Sequence, residues 1–200
     1  MKKNIEVELR ALVPDIDTFR THLVERGAKF IDSSYLCDIY FCKKNITSIN
    51  EVEMHDVGSY SLRLRVARKD EAESITLNIK VITNENDHHA WEEHEVETDN
   101  FGEAAKLLTM TEFKPFFKLE KYRHAYELNG MEILVEDITD FGGAVEVEIL
   151  CDLGEETESK EKIKDLLVNT LGLQESDIVP KSVTNIVMKE RAFKQEIVFD

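Results

Sequence analysis

The sequence predicts an α+β fold dominated by one antiparallel sheet. Three observations carry this expectation. Eight segments alternate apolar and polar residues with the period of two that marks strands. Several follow one another through short links, which favours antiparallel pairing. Three or four segments of helical period interrupt the series and end on helix-stop signals.

The strands are expected at about 4–13, 34–42, 60–68, 74–82, 91–98, 116–128, 131–137 and 144–151. Asn129-Gly130 joins two of them as a type I′ hairpin turn. Asp15 caps a first helix that runs to about Arg26, with Ile16, Phe19 and Leu23 on one face and Gly27 as its stop. A second helix is expected from about Asn100 to Leu108, a third from Ser159 to Leu171, ended by Gly172, and a fourth from Val183 to Phe193. Residues 44–59 and 83–90 read as polar loops. No low-complexity linker divides the chain, so one domain over 1–200 is expected.

Composition narrows the functional classes. Of 200 residues, 42% are hydrophobic and 33% charged, which is ordinary for a globular domain. The net charge of −16 disfavours nucleic acid and anionic membrane as partners, since both need basic surface. There is no apolar run of about 18 residues to span a membrane and no apolar core of a secretion signal. Cys37, Cys42 and Cys151 are odd in number and lack CxxC spacing, which reads as reduced thiols in a cytoplasmic protein.

The polar positions of the strands carry the functional signal. Glu6, Glu8 and Arg10 share one face of the first strand. Arg63 and Arg65 share a face of "YSLRLRV", and Lys80 lies on the polar side of "SITLNIKV". Glu93, Glu95 and Glu97 line up, as do Lys121 and Arg123, and Glu146 and Glu148. An antiparallel sheet commonly keeps one face in water, where cross-strand charge pairs contribute about 0.2–1 kcal/mol each. Two features point past a merely solvated face. Charge signs sort by strand, and like charges two residues apart repel. The apolar faces also need cover, which helices can supply from outside. If the eight strands curl toward closure, the charged faces turn inward around a space wide enough for one small ligand. Ionised groups there need a wet interior and an occupant of both signs. A polyanion with a divalent metal fits: Arg and Lys take phosphate oxygens, and carboxylates hold Mg²⁺ or Mn²⁺.

The ordered set of motifs resembles the CYTH superfamily, the triphosphate tunnel metalloenzymes. "IEVELR" resembles the family's ExExK signature, and "DIYF" its second-strand motif. "LRLR", "LNIK", "HEVE", "KYRHAY" and "VEDITDFGGAVEVE" follow in the family's order, and "PKSVTNIV" resembles the start of its last helix. The resemblance implies an eight-stranded antiparallel β-barrel, or tunnel, flanked by helices and binding a triphosphate with Mg²⁺ or Mn²⁺. It implies metal ligation by Glu6, Glu8, Glu146 and Glu148, helped by Glu95, Glu97 and Glu136. It implies a triphosphate gripped by Arg10, Arg63, Arg65, Lys80, Lys121, Arg123 and Lys181. Glu6, Glu8, Arg10 and Glu136 are the catalytic candidates. The sequence departs from the family pattern at Arg10, where Lys is usual, at Glu136, where Asp is usual, and at Val183, where Tyr is usual.

Three activities fit this residue set. The favoured one is a phosphohydrolase in which water attacks the terminal phosphorus of inorganic triphosphate or of an organic triphosphate such as thiamine triphosphate. The second is a class IV adenylyl cyclase, in which the ribose 3′-oxygen of ATP attacks the α-phosphorus and releases pyrophosphate. The third is a non-catalytic triphosphate or nucleotide sensor. Phe41, Tyr60 and Trp91 can stack on a base, but packing is the expected role of each. His88-His89 reads as a solvated loop pair, and His94 and His124 as packing residues opposite the charged rows. Exposed faces of such a fold can pair as a homodimer.

Overall fold

The computed structural model describes residues 5–52, 56–82, 91–152, 154–179, 182–191 and 197. Its contacts divide into two compact units. The first holds residues 1–34 and 121–183, the second residues 35–120 and 184–200.

In the first unit, β1 (Ile5–Val13) leads into α1 (Ile16–Glu25) and the opening of β2 (Lys29–Lys43). The chain re-enters this unit through the end of β6 (Phe113–Leu128), then β7 (Met131–Ile138), β8 (Gly142–Cys151), α3 (Glu156–Asp165) and a short β9 (Ile178–Val179). Strand order here is β2-β6-β7-β8-β1-β9. Asp15 caps α1 as expected, its carboxylate accepting from the Thr18 N–H at 3.0 Å. The β6–β7 turn has positive φ at both Asn129 and Gly130, the geometry of a type I′ hairpin. Phe19 and Leu23 of α1 and Ile163, Leu166 and Leu167 after β8 join the buried core. That core includes Ala11, Val135, Val145 and Val147, so the helices cover the apolar face of the sheet.

The second unit contains the rest of β2, β3 (Tyr60–Lys69), β4 (Ala72–Ile82), β5 (Trp91–Thr98), α2 (Phe101–Met110) and the first half of β6. Its strand order is β5-β4-β3-β2-β6. Asn100 caps α2 by accepting from Glu103 N–H at 2.9 Å. The apolar face packs Ile39, Phe41, Leu62 and Leu64 against Ala105 of α2. The last helix, α4 (Val183–Arg191), follows β9.

The structure corrects several expectations. The order contains nine strands and is linear, with β5 and β9 at its ends. Among the described residues the sheet is large and antiparallel, and no ladder joins its two end strands. Among the described residues β9 pairs with Arg10 and Ala11 of β1. β2 begins at Lys29, five residues earlier than its alternation announces, because "KFIDSS" is mostly exposed and has no buried face to pattern. The third helix begins at Glu156 and closes through a π-turn, Leu166–Thr170. Among the described residues no helix is long and apolar enough to cross a membrane.

Candidate functional site

Cross-strand register turns the charged rows of the first unit into a cluster. β1 and β8 pair antiparallel with Glu8 opposite Glu148 and Arg10 opposite Glu146. Directly opposed side chains share a face, so all four project together, away from the Val145–Val147 core side. The carboxylates of Glu8, Glu146 and Glu148 offer oxygens that all lie within 4.8 Å of one another. Arg10 bridges this cluster: its Nη2 donates to Glu8 and lies 2.7 Å from Oε1 of Glu146. Burial works against the Arg10 charge, but the carboxylates of Glu146 and Glu8 outweigh it and raise the pKa of the guanidinium. Glu146 is pushed up to about 7, by burial first and then by a hydrogen bond to Glu8, against the pull of Arg10.

A second constellation completes this face. Glu136 of β7 stands opposite Arg123 of β6. Its Oε1 accepts from Lys121 Nζ at 2.6 Å and from Arg123 Nε and Nη2 at 2.8 and 2.6 Å. Burial alone would raise the Glu136 pKa, yet Lys121 and Arg123 outweigh it and hold the carboxyl below its ordinary range. Glu136 is 5% exposed and Lys121 6%, so this is a desolvated ion cluster that persists only because both signs are present.

The second unit has its own polar face. Asp38 of β2 stands opposite Arg65 of β3, and Arg63 stands opposite Tyr40. Arg63 and Arg65 in turn oppose Asn78 and Thr76 of β4. The buried Asp38 carboxylate accepts a fork from Arg65, Nε to Oδ1 at 2.6 Å and Nη2 to Oδ2 at 2.8 Å. Arg63 Nη1 lies 3.8 Å from Asp38 Oδ2. Arg63 Nε and Thr76 Oγ1 are buried without a hydrogen-bond partner among the described residues. Such an unpaired group costs about 1–3 kcal/mol unless something else satisfies it.

Asn78 donates to Glu93 at 2.5 Å, and Lys80 Nζ lies 3.1 Å from Glu93 Oε2. Burial raises the Glu93 pKa, but Asn78 and Lys80 outweigh it and lower it overall. Glu95 and Glu97 stand opposite Asn78 and Thr76 on β5 and are exposed; they belong to this unit and are not among the three clustered carboxylates.

The predicted residues thus gather in two groups, one in each unit. Glu6 occupies a register position opposite Leu150 on β1, with its side chain outside the described set. Lys181 and His88-His89 lie outside the described residues. Phe41 is buried, and Tyr60 meets Phe113 edge-on at 6.3 Å, so both pack. His94 does not pack as expected: it is 67% exposed beside Glu92, because β5 is an end strand whose Val96 is exposed as well. All three cysteines are free thiols.

Sequence reasoning assigns no role to Asp38 or Asn78. The signal for Asp38 was present: a lone acid inside the apolar run "CDIYF", followed by a strand carrying two arginines.

In each unit helices cover the apolar face of the sheet, and paired acids and bases lie on the other. The chain belongs to the CYTH domain family, whose match covers residues 4–183. Solved structures share the fold. The PH1819 protein from Pyrococcus horikoshii OT3 is 23% identical with a TM-score of 0.74, over 93% of this chain and 99% of that one. A conserved hypothetical protein from Pyrococcus furiosus is 25% identical with a TM-score of 0.67, over 89% and 97% of the two chains. A protein from Vibrio parahaemolyticus described as a "putative adenylate cyclase" is 18% identical with a TM-score of 0.69, over 92% and 97%. A search of the curated proteins gives no match.

Proposed function

We propose that this protein is a metal-dependent phosphohydrolase acting on a triphosphate, inorganic or organic. The observation that carries the reading is the meeting of Glu8, Glu146 and Glu148, with carboxylate oxygens within 4.8 Å of one another and Arg10 bonded into the group. Three hard carboxylate oxygens fit Mg²⁺ or Mn²⁺. Bound there, such an ion supplies charge neutralisation for phosphate oxygens and a more acidic water. Membership of the CYTH family supports a triphosphate as the ligand. The tunnel expected of that family, formed by the sheet curling around its charged face, is part of this proposal.

The residues then take distinct tasks. Glu8, Glu146 and Glu148 ligate the metal, and the family pattern adds Glu6, two residues before Glu8 on β1. Arg10 stays protonated at any working pH, so it binds phosphate and does not act as a base. Lys121 and Arg123 bind phosphate oxygens, and Glu136 orients both. In the second unit the family pattern makes Arg63, Arg65 and Lys80 phosphate ligands and Glu95 and Glu97 accessory acids; Lys181 joins the phosphate ligands on the same ground. Catalysis is then positioning plus stabilisation of charge on the transferring phosphoryl group.

A second reading is an adenylyl cyclase, favoured by the description of the Vibrio parahaemolyticus neighbour. Both readings use the same acids and bases, so product analysis decides between them. The test is to incubate the protein with inorganic triphosphate, thiamine triphosphate and ATP, each with Mg²⁺ or Mn²⁺, and to resolve phosphate, diphosphorylated product and cyclic AMP. Hydrolysis predicts phosphate release that falls by about 10²–10³ in Glu8→Gln. Cyclic AMP with pyrophosphate establishes the cyclase instead. Binding with no product in either metal overturns both and leaves a sensor.

A further inference from the structure

We infer that Asp38 is a positioning residue for anion binding by the second unit, the counterpart there of Glu136 in the first. The inference rests on the proposal that the charged faces bind a polyphosphate. The two units repeat one device. A buried acid on one strand stands directly opposite the second base of a base-x-base pair on the next strand. In the first unit Glu136 opposes Arg123, with Lys121 two residues before it. In the second Asp38 opposes Arg65, with Arg63 two residues before it.

The arginine donors repeat as well, although Glu136 accepts them on one oxygen and Asp38 on two. Glu136 takes Nε and Nη2 of Arg123 and also Lys121 Nζ. Asp38 takes Nε and Nη2 of Arg65, with Arg63 Nη1 3.8 Å away. The acids are 1% and 5% exposed, so neither is a solvated surface charge. A fork held through Nε and Nη2 fixes the guanidinium plane, which limits the directions in which Arg65 can donate. Beside it, the buried Nε of Arg63 and Oγ1 of Thr76 lack partners among the described residues, as expected of a face built to receive a polar ligand.

This role makes a prediction of unusual sign. Asp38 is an anion near an anion-binding face, so removing its charge should strengthen polyanion binding if only net charge mattered. If Asp38 sets the geometry of Arg65 and Arg63, removing it weakens binding. The experiment is calorimetric titration of inorganic triphosphate into wild type, Asp38→Asn, Arg65→Ala and the double variant, with thermal unfolding of each. The expected result is binding at least about tenfold weaker in Asp38→Asn, with the double variant no weaker than Arg65→Ala alone, because the two side chains act as one unit. Unchanged or tighter binding by folded Asp38→Asn overturns the inference, and so does full additivity of the two losses. Should Asp38→Asn fail to fold, Asp38→Glu carries the test: it keeps the charge and displaces it by one methylene, so weaker binding supports the inference and unchanged binding overturns it. Wild type that binds no triphosphate overturns it together with the proposed function. Wild type that binds without turnover removes the proposed hydrolysis and leaves this comparison intact.

Discussion

At Glu146, burial and the hydrogen bond to Glu8 raise the carboxyl pKa to about 7, so the metal-free protein holds a proton where a metal ligand must be ionised. Metal binding then releases that proton, and apparent Mn²⁺ affinity should fall about tenfold for each pH unit below 7. Calorimetric titration from roughly one pH unit below the shifted value to one above it checks this, and Glu146→Gln should abolish the dependence. The same proton stabilises the metal-free fold at low pH, and that contribution is lost as pH rises through about 7. Glu136 has the opposite sign. Its carboxyl is held below the ordinary range, so its stabilisation is present above that range and lost as pH falls through the folded value. Glu136→Gln leaves Lys121 and Arg123 without their shared anion and should cost roughly 3–5 kcal/mol in denaturant unfolding near neutral pH, with the gap to wild type narrowing in acid.

Among the elements, β1 and β8 do most to build the site, because their register sets Glu8 against Glu148 and Arg10 against Glu146. The alternation within each strand was legible in the sequence, since period two is a local property. The register was not, because the partners are separated by most of the chain and no turn links them. The same limit hid β9, whose two residues carry no pattern of their own, and the first residues of β2, which face solvent. Caps and turns, set by Asp15, Asn100 and Asn129-Gly130, were readable because their chemistry is local. Gly143 shows how close the β1–β8 end is packed. It pairs with Val13, and an added Cβ would overlap Val13 O and the Ile16 side chain. Gly143→Ala should therefore destabilise by about 1–3 kcal/mol through overpacking, measured by chemical unfolding, without removing any charged group of the site.

Across the whole molecule, the net charge of −16 coexists with local groups in which basic residues are held by acids, at Glu136 and at Asp38. The total charge therefore says little about which ligands the charged faces accept; the paired arrangement says more. The helices on the apolar faces and the charges on the other were both foreseen from alternation, whereas the closure of the sheet was inferred from resemblance and is not seen in the strand order. The proposed chemistry depends on Glu8, Glu146 and Glu148 acting together as a metal site. Electron paramagnetic resonance of Mn²⁺ bound to wild type and to Glu148→Gln, with inorganic triphosphate present, tests this most directly. The account predicts a protein-bound Mn²⁺ signal in wild type and binding weaker by more than about tenfold in the variant; equal Mn²⁺ uptake by both proteins would contradict it.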